Sequence, residues 1–237
     1  MNTESPEMTR LVRSYITLRV AVGLIGMVLP FVLAIGKSVF DGPGLLSSIS
    51  GYYYSSLRDV FVGAICAVAV FLMTYRGYER ADSVAGIIAC ISAIGLAWFP
   101  TSPAIDPTAR EMAIGRVHLC FAAAFFLTLA FFSLFLFRKT NPLLPPTPRK
   151  LLRNKVYAIC GAVIVLCLIL IVVCEMLPPD SPLRQAGPVF WLEAVADVAF
   201  GVAWLTKGNA FLEDHAIFPV WNAVSAWLIR VGGGAAR

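Results

Sequence analysis

Charge is scarce in this chain. Only 14% of its 237 residues are Asp, Glu, Lys or Arg, while 59% are hydrophobic; an ordinary soluble domain carries roughly 25% charged residues. A water-soluble globule of that composition is excluded. Histidine is scarcer still, with His118 and His215 alone, so a three-histidine zinc site is excluded too. Every cysteine (Cys66, Cys90, Cys120, Cys160, Cys167, Cys174) lies inside an apolar run, and none is spaced as CxxC. That leaves no disulfide framework in the loops. A Gly-rich phosphate cradle, a nucleophile elbow and an HExxH helix are also missing. No metal and no cofactor is therefore expected from any motif. No internal repeat is visible, which removes support for an inverted-repeat transporter.

What is present is a series of long apolar runs separated by short loops that hold nearly all the charge. Taking ~20 residues to cross the hydrocarbon core, spans are predicted at about 15–36, 59–76, 81–99, 113–137, 155–177 and 188–206. The runs are long, continuous and rich in Ala, Leu and Gly, unlike the short alternating strands of a barrel. The expectation is an all-α, six-helix transmembrane bundle over residues 1–206. Residues 207–237 follow as a cytoplasmic tail, with Trp221, Val224, Trp227 and Leu228 at the spacing of a short interfacial helix. The first span is too long for a signal peptide and lacks a clear small-residue cleavage site, so it is read as a retained helix. Cys160, Cys167 and Cys174, seven apart, fall on one stripe of the fifth span and read as a packing seam.

Orientation follows from Lys and Arg. With the N-terminus inside, fourteen of the nineteen lie on inner segments, and Lys37, Arg58, Arg110, Arg116 and Arg184 lie outside. The loop RKTNPLLPPTPRKLLRNK (138–155) carries six cations and no acid. Both termini are thus expected in the cytoplasm, with the chain in a plasma membrane. The net charge of +5 is directed at the anionic inner leaflet and not at nucleic acid.

Ionisable side chains within spans cost at least ~2.5 kcal/mol near the bilayer centre and are usually paired, cavity-facing or functional. Here they gather toward the outer side. Asp59 follows Arg58 at the mouth of the second span, Arg116 and His118 begin the fourth, Glu175 ends the fifth, and Glu193 and Asp197 lie in the outer half of the sixth. Glu193, Asp197 and Gly201 are at i, i+4 and i+8, so they share one helical face. Asp59, Gly63 and Cys66 make a similar face on the second span. Ahead of it runs SSISGYYYSS (47–56), whose hydroxyls and rings are placed to cover such a cluster. The candidate ligand-binding set is Ser50, Tyr53, Arg58, Asp59, Arg116, His118, Glu193 and Asp197. Most also have a plainer reading: the tyrosines with Trp98 and Trp191 as the aromatic belt, the Arg58 and Asp59 pair and Glu175 as interface anchors, His118 as a hydrogen-bonded core histidine, and Glu193 with Asp197 as a polar cluster that is structural only.

The segments SISGYYY, RDVFVGA, YRGYER, WFPTSP, HLCFAAAFF, RNKVYAICG and WLEAVADVAFGVAWLTKG resemble a group of bacterial integral-membrane proteins of unknown function, a likeness that runs from the first outer loop through the sixth span. It implies an inner-membrane bundle and no known activity. The chain is more loosely similar to the membrane hydrolases that include alkaline ceramidases and progestin/adiponectin-type receptors. That resemblance would align Ser50, Asp59 and His118 with a serine, an aspartate and one zinc-binding histidine. The paired histidines near the last helix are missing, so its zinc chemistry is not carried over.

Three functions stay open on these grounds. One is a protein that binds or transports a lipid headgroup or small polar solute in an outward-facing pocket. Another is a membrane-embedded lipid hydrolase using Asp59, His118, Glu193 and Asp197 as acids and bases. The third is a structural or regulatory membrane partner whose polar cluster fixes helix packing. Six helices are few for a carrier working alone, which leaves a homo-oligomer open.

Overall fold

The computed structural model describes residues 6–75, 79–140, 146–178 and 180–208, excepting the side chains of residues 6–13 and 15. Within that range the protein is all-α. The expected tail helix after residue 208, and His215 with it, lies outside the described residues. Helix α1 is Pro6–Phe40, and a 3₁₀ turn at Ser50–Tyr54 leads to α2 (Arg58–Met73). Then come α3 (Arg80–Trp98), α4 (Ala109–Phe131, continued by a π turn at Phe132–Leu136) and α5 (Pro148–Met176). One turn, α6 (Pro182–Gln185), precedes α7 (Pro188–Lys207).

Local chemistry sets these boundaries. Thr108 and Glu111 form a reciprocal capping box at the start of α4. Thr147 caps α5, with Pro148 in the first turn where its missing N–H costs nothing. Gly187, at φ 64°, makes the left-handed turn that admits α7.

Among the described residues, five helices are long and apolar enough to cross a membrane: α1 over Ile16–Phe40, α3, α4 with its π turn, α5 and α7. The second expected span is shorter than its sequence pattern suggested. With 16 residues, α2 covers about 24 Å, less than the ~30 Å hydrocarbon core. Its last turn closes where the Thr74 hydroxyl donates to the Phe71 carbonyl.

The six long helices form a ring in chain order. Each packs on its neighbour, and α7 closes the circle by lying against both α5 and α1. Closure depends on small residues. A Cβ on Gly201 would stand 2.7 Å from the Gly23 carbonyl oxygen, and one on Gly23 would stand 2.9 Å from the Leu205 nitrogen. Only glycine on each side lets the two backbones approach so closely. Cys160, Cys167 and Cys174 are buried along α5 with Tyr157, Gly161 and Ile164, as the seam predicted for that stripe.

The described irregular segments sort to two ends. At one end, the Tyr54 hydroxyl bonds the Thr101 carbonyl and the Phe190 N–H bonds the Ser47 carbonyl. At the other, Arg19 of α1 reaches the Lys207 carbonyl of α7. These are called the loop end and the basic end below.

Candidate functional site

The loop end holds most of the predicted site residues. Its centre is the stretch 44–57, which folds back over the start of α7. Tyr52 is fully buried against Phe190, with ring centroids 6.0 Å apart. From α7, Glu193 extends its carboxylate to accept the Ile49 N–H at 2.5 Å. An acid on the last helix thus holds a main-chain donor of the covering loop. The neighbouring N–H of Ser50 also faces this carboxylate. Ser50 itself begins the 3₁₀ turn and is half-buried.

Asp197 lies one turn deeper on α7. Its main-chain carbonyl is 3.6 Å from the position a Cβ on Gly26 would take, so this part of α7 faces α1, as does Gly201. The residue as a whole is half-buried. Its electrostatic neighbour is Glu193, and no hydrogen-bond donor of the described residues reaches it. The sequence placed these two acids on one helical face. The fold divides their work, with Glu193 tied to the loop and Asp197 left beneath it.

Arg58 and Asp59 do not pair with each other. The Arg58 guanidinium lies 4.3 Å over the Tyr53 ring and donates to the Tyr53 hydroxyl at 2.6 Å. Asp59 is exposed, and the expected face of Asp59, Gly63 and Cys66 does not seam two helices: a Cβ on Gly63 would meet nothing within 4 Å. The large apolar residues of α2 decide this. Phe61, Ile65, Val68, Ala69 and Leu72 bury one side, which turns positions 59 and 63 outward.

On α4, His118 is buried at 2% exposure, with Nδ1 2.6 Å from the Phe99 carbonyl oxygen. It fastens α4 to the end of α3 and shares no hydrogen bond with Asp59, Glu193 or Asp197. Arg116, two residues earlier, is exposed. The aromatic belt is likewise divided: Trp98, Trp191 and Tyr54 are exposed at 72%, 56% and 50%, whereas Tyr52 belongs to the core. Glu175 is engaged by Arg184, at 2.8 Å, across the short turn into α6.

The chain matches no protein-family model, no curated protein and no solved structure.

A second polar centre lies at the basic end and was absent from the predicted set. Asp82 of α3 is 1% exposed, and its Oδ2 accepts from Lys139 Nζ at 2.9 Å and from the Glu79 N–H at 3.0 Å. Lys139 also meets Glu79 at 3.2 Å. The signal was Glu79 and Asp82 at the spacing of a capping box, which the structure forms. At the same end stands an aromatic cluster of Tyr75, Phe132, Phe137, Tyr157, Phe200 and Trp204, with rings packed 5.0 to 6.1 Å apart. Cations lie over its rings: Arg19 over Tyr75 at 5.5 Å, Lys207 over Phe137 at 5.4 Å and Lys150 over Tyr157 at 6.0 Å. Among the described residues, no group of three or more His, Cys, Asp and Glu is arranged to hold a metal ion.

Proposed function

We propose that this multi-pass membrane protein binds or carries a small polar solute or a lipid headgroup at its loop end, with the α7 carboxylates as the determinant. Two acids one turn apart favour a cationic group, such as an amine. The observation that carries this reading is the bond from Glu193 to the Ile49 N–H. Because the carboxylate that would meet a cation also holds the covering loop, a ligand at Asp197 and Glu193 would shift the loop, and the loop would gate the ligand. The positive-inside distribution supports a loop end facing out of a bacterial inner membrane, with both termini in the cytoplasm.

The test is the double variant Glu193→Gln, Asp197→Asn in lipid nanodiscs, with ethanolamine and phosphatidylethanolamine as probes. Wild type is expected to gain thermal stability with either probe. The folded double variant should lose that response.

A structural membrane partner is the second reading, and a specific observation favours it. Glu193, His118 and Arg58 already have partners within the chain: a loop N–H, a helix-end carbonyl and a tyrosine. Under this reading neither protein responds to the probes, and the double variant is destabilised without them. A lipid hydrolase has less support, since His118 bonds a main-chain carbonyl and not one of the acids it would have to work with.

A further inference from the structure

A groove of ≈ 360 Å³ runs between α3 and α4 on the outside of the bundle, toward the basic end. That volume falls in the ~300–1,000 Å³ range of small-molecule sites. The α3 wall is Ala81, Val84, Ala85 and Ile88, and the α4 wall is Leu127, Thr128 and Phe131. The one hydroxyl among them, on Thr128, is occupied by the Ala124 carbonyl at 2.7 Å. The groove therefore offers nothing but apolar contact along its length. From Ala81 to Ile88 it follows about 10 Å of helix, within the ~15 Å depth of one leaflet's hydrocarbon.

The mouth of the groove is charged, and the charges are unequal in their partners. Lys139 is held by both acids of the region, Asp82 and Glu79. Arg80 and Arg138 are exposed. The Arg138 guanidinium donates to the Leu134 carbonyl at 3.2 Å, and neither arginine is joined to a carboxylate among the described residues. Arg80 is at i, i+4 and i+8 with Val84 and Ile88, so it stands over the same face that lines the groove. Arg138 follows the π turn that extends α4, next to Lys139, whose ammonium meets Glu79 and Asp82 at the start of α3. Two cations at the basic end of an apolar slot, where the chain concentrates its positive charge, complement an acyl chain beneath an anionic phosphate.

We infer that the α3–α4 groove binds one phospholipid with an anionic headgroup, its phosphate on Arg80 and Arg138 and an acyl chain between the helices. The site is independent of the α7 carboxylates at the opposite end, and either reading stands if the other fails. Each arginine is expected to contribute about fivefold to the preference for an anionic over a zwitterionic lipid, or about thirtyfold together.

The experiment is native mass spectrometry of the full chain released from vesicles of equimolar phosphatidylglycerol and phosphatidylcholine. Wild type is expected to retain one phosphatidylglycerol, with about thirtyfold preference. The variant Arg80→Gln, Arg138→Gln should bring the preference close to unity, while Arg80→Lys, Arg138→Lys should keep most of it, which separates charge from folding. Ala81→Trp, at an exposed position on the groove wall, should lower retention of both lipids. Millimolar glycerol phosphate should not displace the bound lipid; displacement would mean the site reads phosphate alone and would overturn the assignment of the groove. Equal retention of both lipids by wild type would overturn the proposal. So would a preference that survives the glutamine variant. A dimer lost on Ala81→Trp would make the groove, with Ala81 and Ala85 as a small-residue pair, an interface between copies.

Discussion

At the loop end, an acid from a helix reaches the N–H of an irregular segment. At the basic end, cations rest on aromatic rings and on one buried carboxylate. The loop-end bonds are long-range in sequence, from residue 193 to residue 49 and from residue 54 to residue 101, and they fix where a loop lies over the bundle. The basic-end contacts join α1, α3, α4, α5 and α7 through buried rings and half-buried cations, with Trp204 at 1% exposure in contact with Tyr75, Phe132, Phe137 and Phe200. The difference separates two uses of polarity in one membrane protein. The loop is held by a few hydrogen bonds and by the burial of Ile49, Tyr52 and Leu57, whereas an interlocked cluster of rings and ions fixes the helices that carry it.

The comparison breaks most visibly if the ring cluster is opened. Trp204→Ala should cost about 3 kcal/mol or more, the usual range for removing a large buried ring, as read by unfolding in a detergent titration. Protease access to the 44–57 loop should change little in the folded variant. If the loop became accessible in step with the loss, the two ends would be one cooperative unit and the contrast would fail.

Lys139→Ala ranks next. It removes the cation from a buried Asp82, and breaking such a pair costs roughly 3–5 kcal/mol when both partners are enclosed. Because the Lys139 side chain is 26% exposed, about 2 kcal/mol is expected after screening by water. In a double-mutant cycle, Asp82→Asn should recover part of that loss, since the neutral amide no longer needs a counter-charge. An additive cycle would show that the triad does not act as a unit.

The sequence was most informative where one physical demand dominated. The apolar runs located the long helices of the described residues, because a long continuous run has few alternatives to a helix. At its far end α2 is shorter than its apolar pattern, because the chain turns at Thr74 and Tyr75. The shared face of Glu193, Asp197 and Gly201 was legible from helical spacing, and Gly201 does pack on α1. Which acid would find a partner was not legible, because that depends on Ile49, 144 residues away. Asp59 misled for a related reason: the bulk of Phe61, Ile65 and Leu72, and not the charge, sets the rotation of α2. Tyr52 read as belt because three successive tyrosines share a composition, but a 3₁₀ turn points them in different directions, burying one and exposing another. Asp82 is not legible as a site because it stands at a span boundary, where charge is ordinary; only Lys139, 57 residues later, makes it a buried centre.

Acid and alkali sharpen the comparison with the smallest perturbation. At the loop end, hydrogen bonds from the Ser56 hydroxyl and the Ser56 N–H, the latter at 2.9 Å, hold the Asp41 carboxyl below its ordinary value of 3.8. A group whose folded pKa is lowered contributes stability that is present above its unfolded pKa and lost as pH falls through the folded value. The Ser56 amide resonance should therefore be flat around neutral pH and shift in acid with a midpoint below 3.8. At the basic end, the Asp82 carboxylate that accepts its hydrogen bond holds the Lys139 ammonium above its ordinary 10.5, against a smaller opposing effect of burial. A raised folded pKa has the opposite sign, so that contribution is complete below about pH 10 and lost only as pH rises through the elevated value. Between those limits both ends should give flat pH profiles for these two groups. A Ser56 shift at neutral pH, or a Lys139-dependent loss of stability near pH 8 that Lys139→Ala abolishes, would mean that the bond drawn at that end is not the one that holds it.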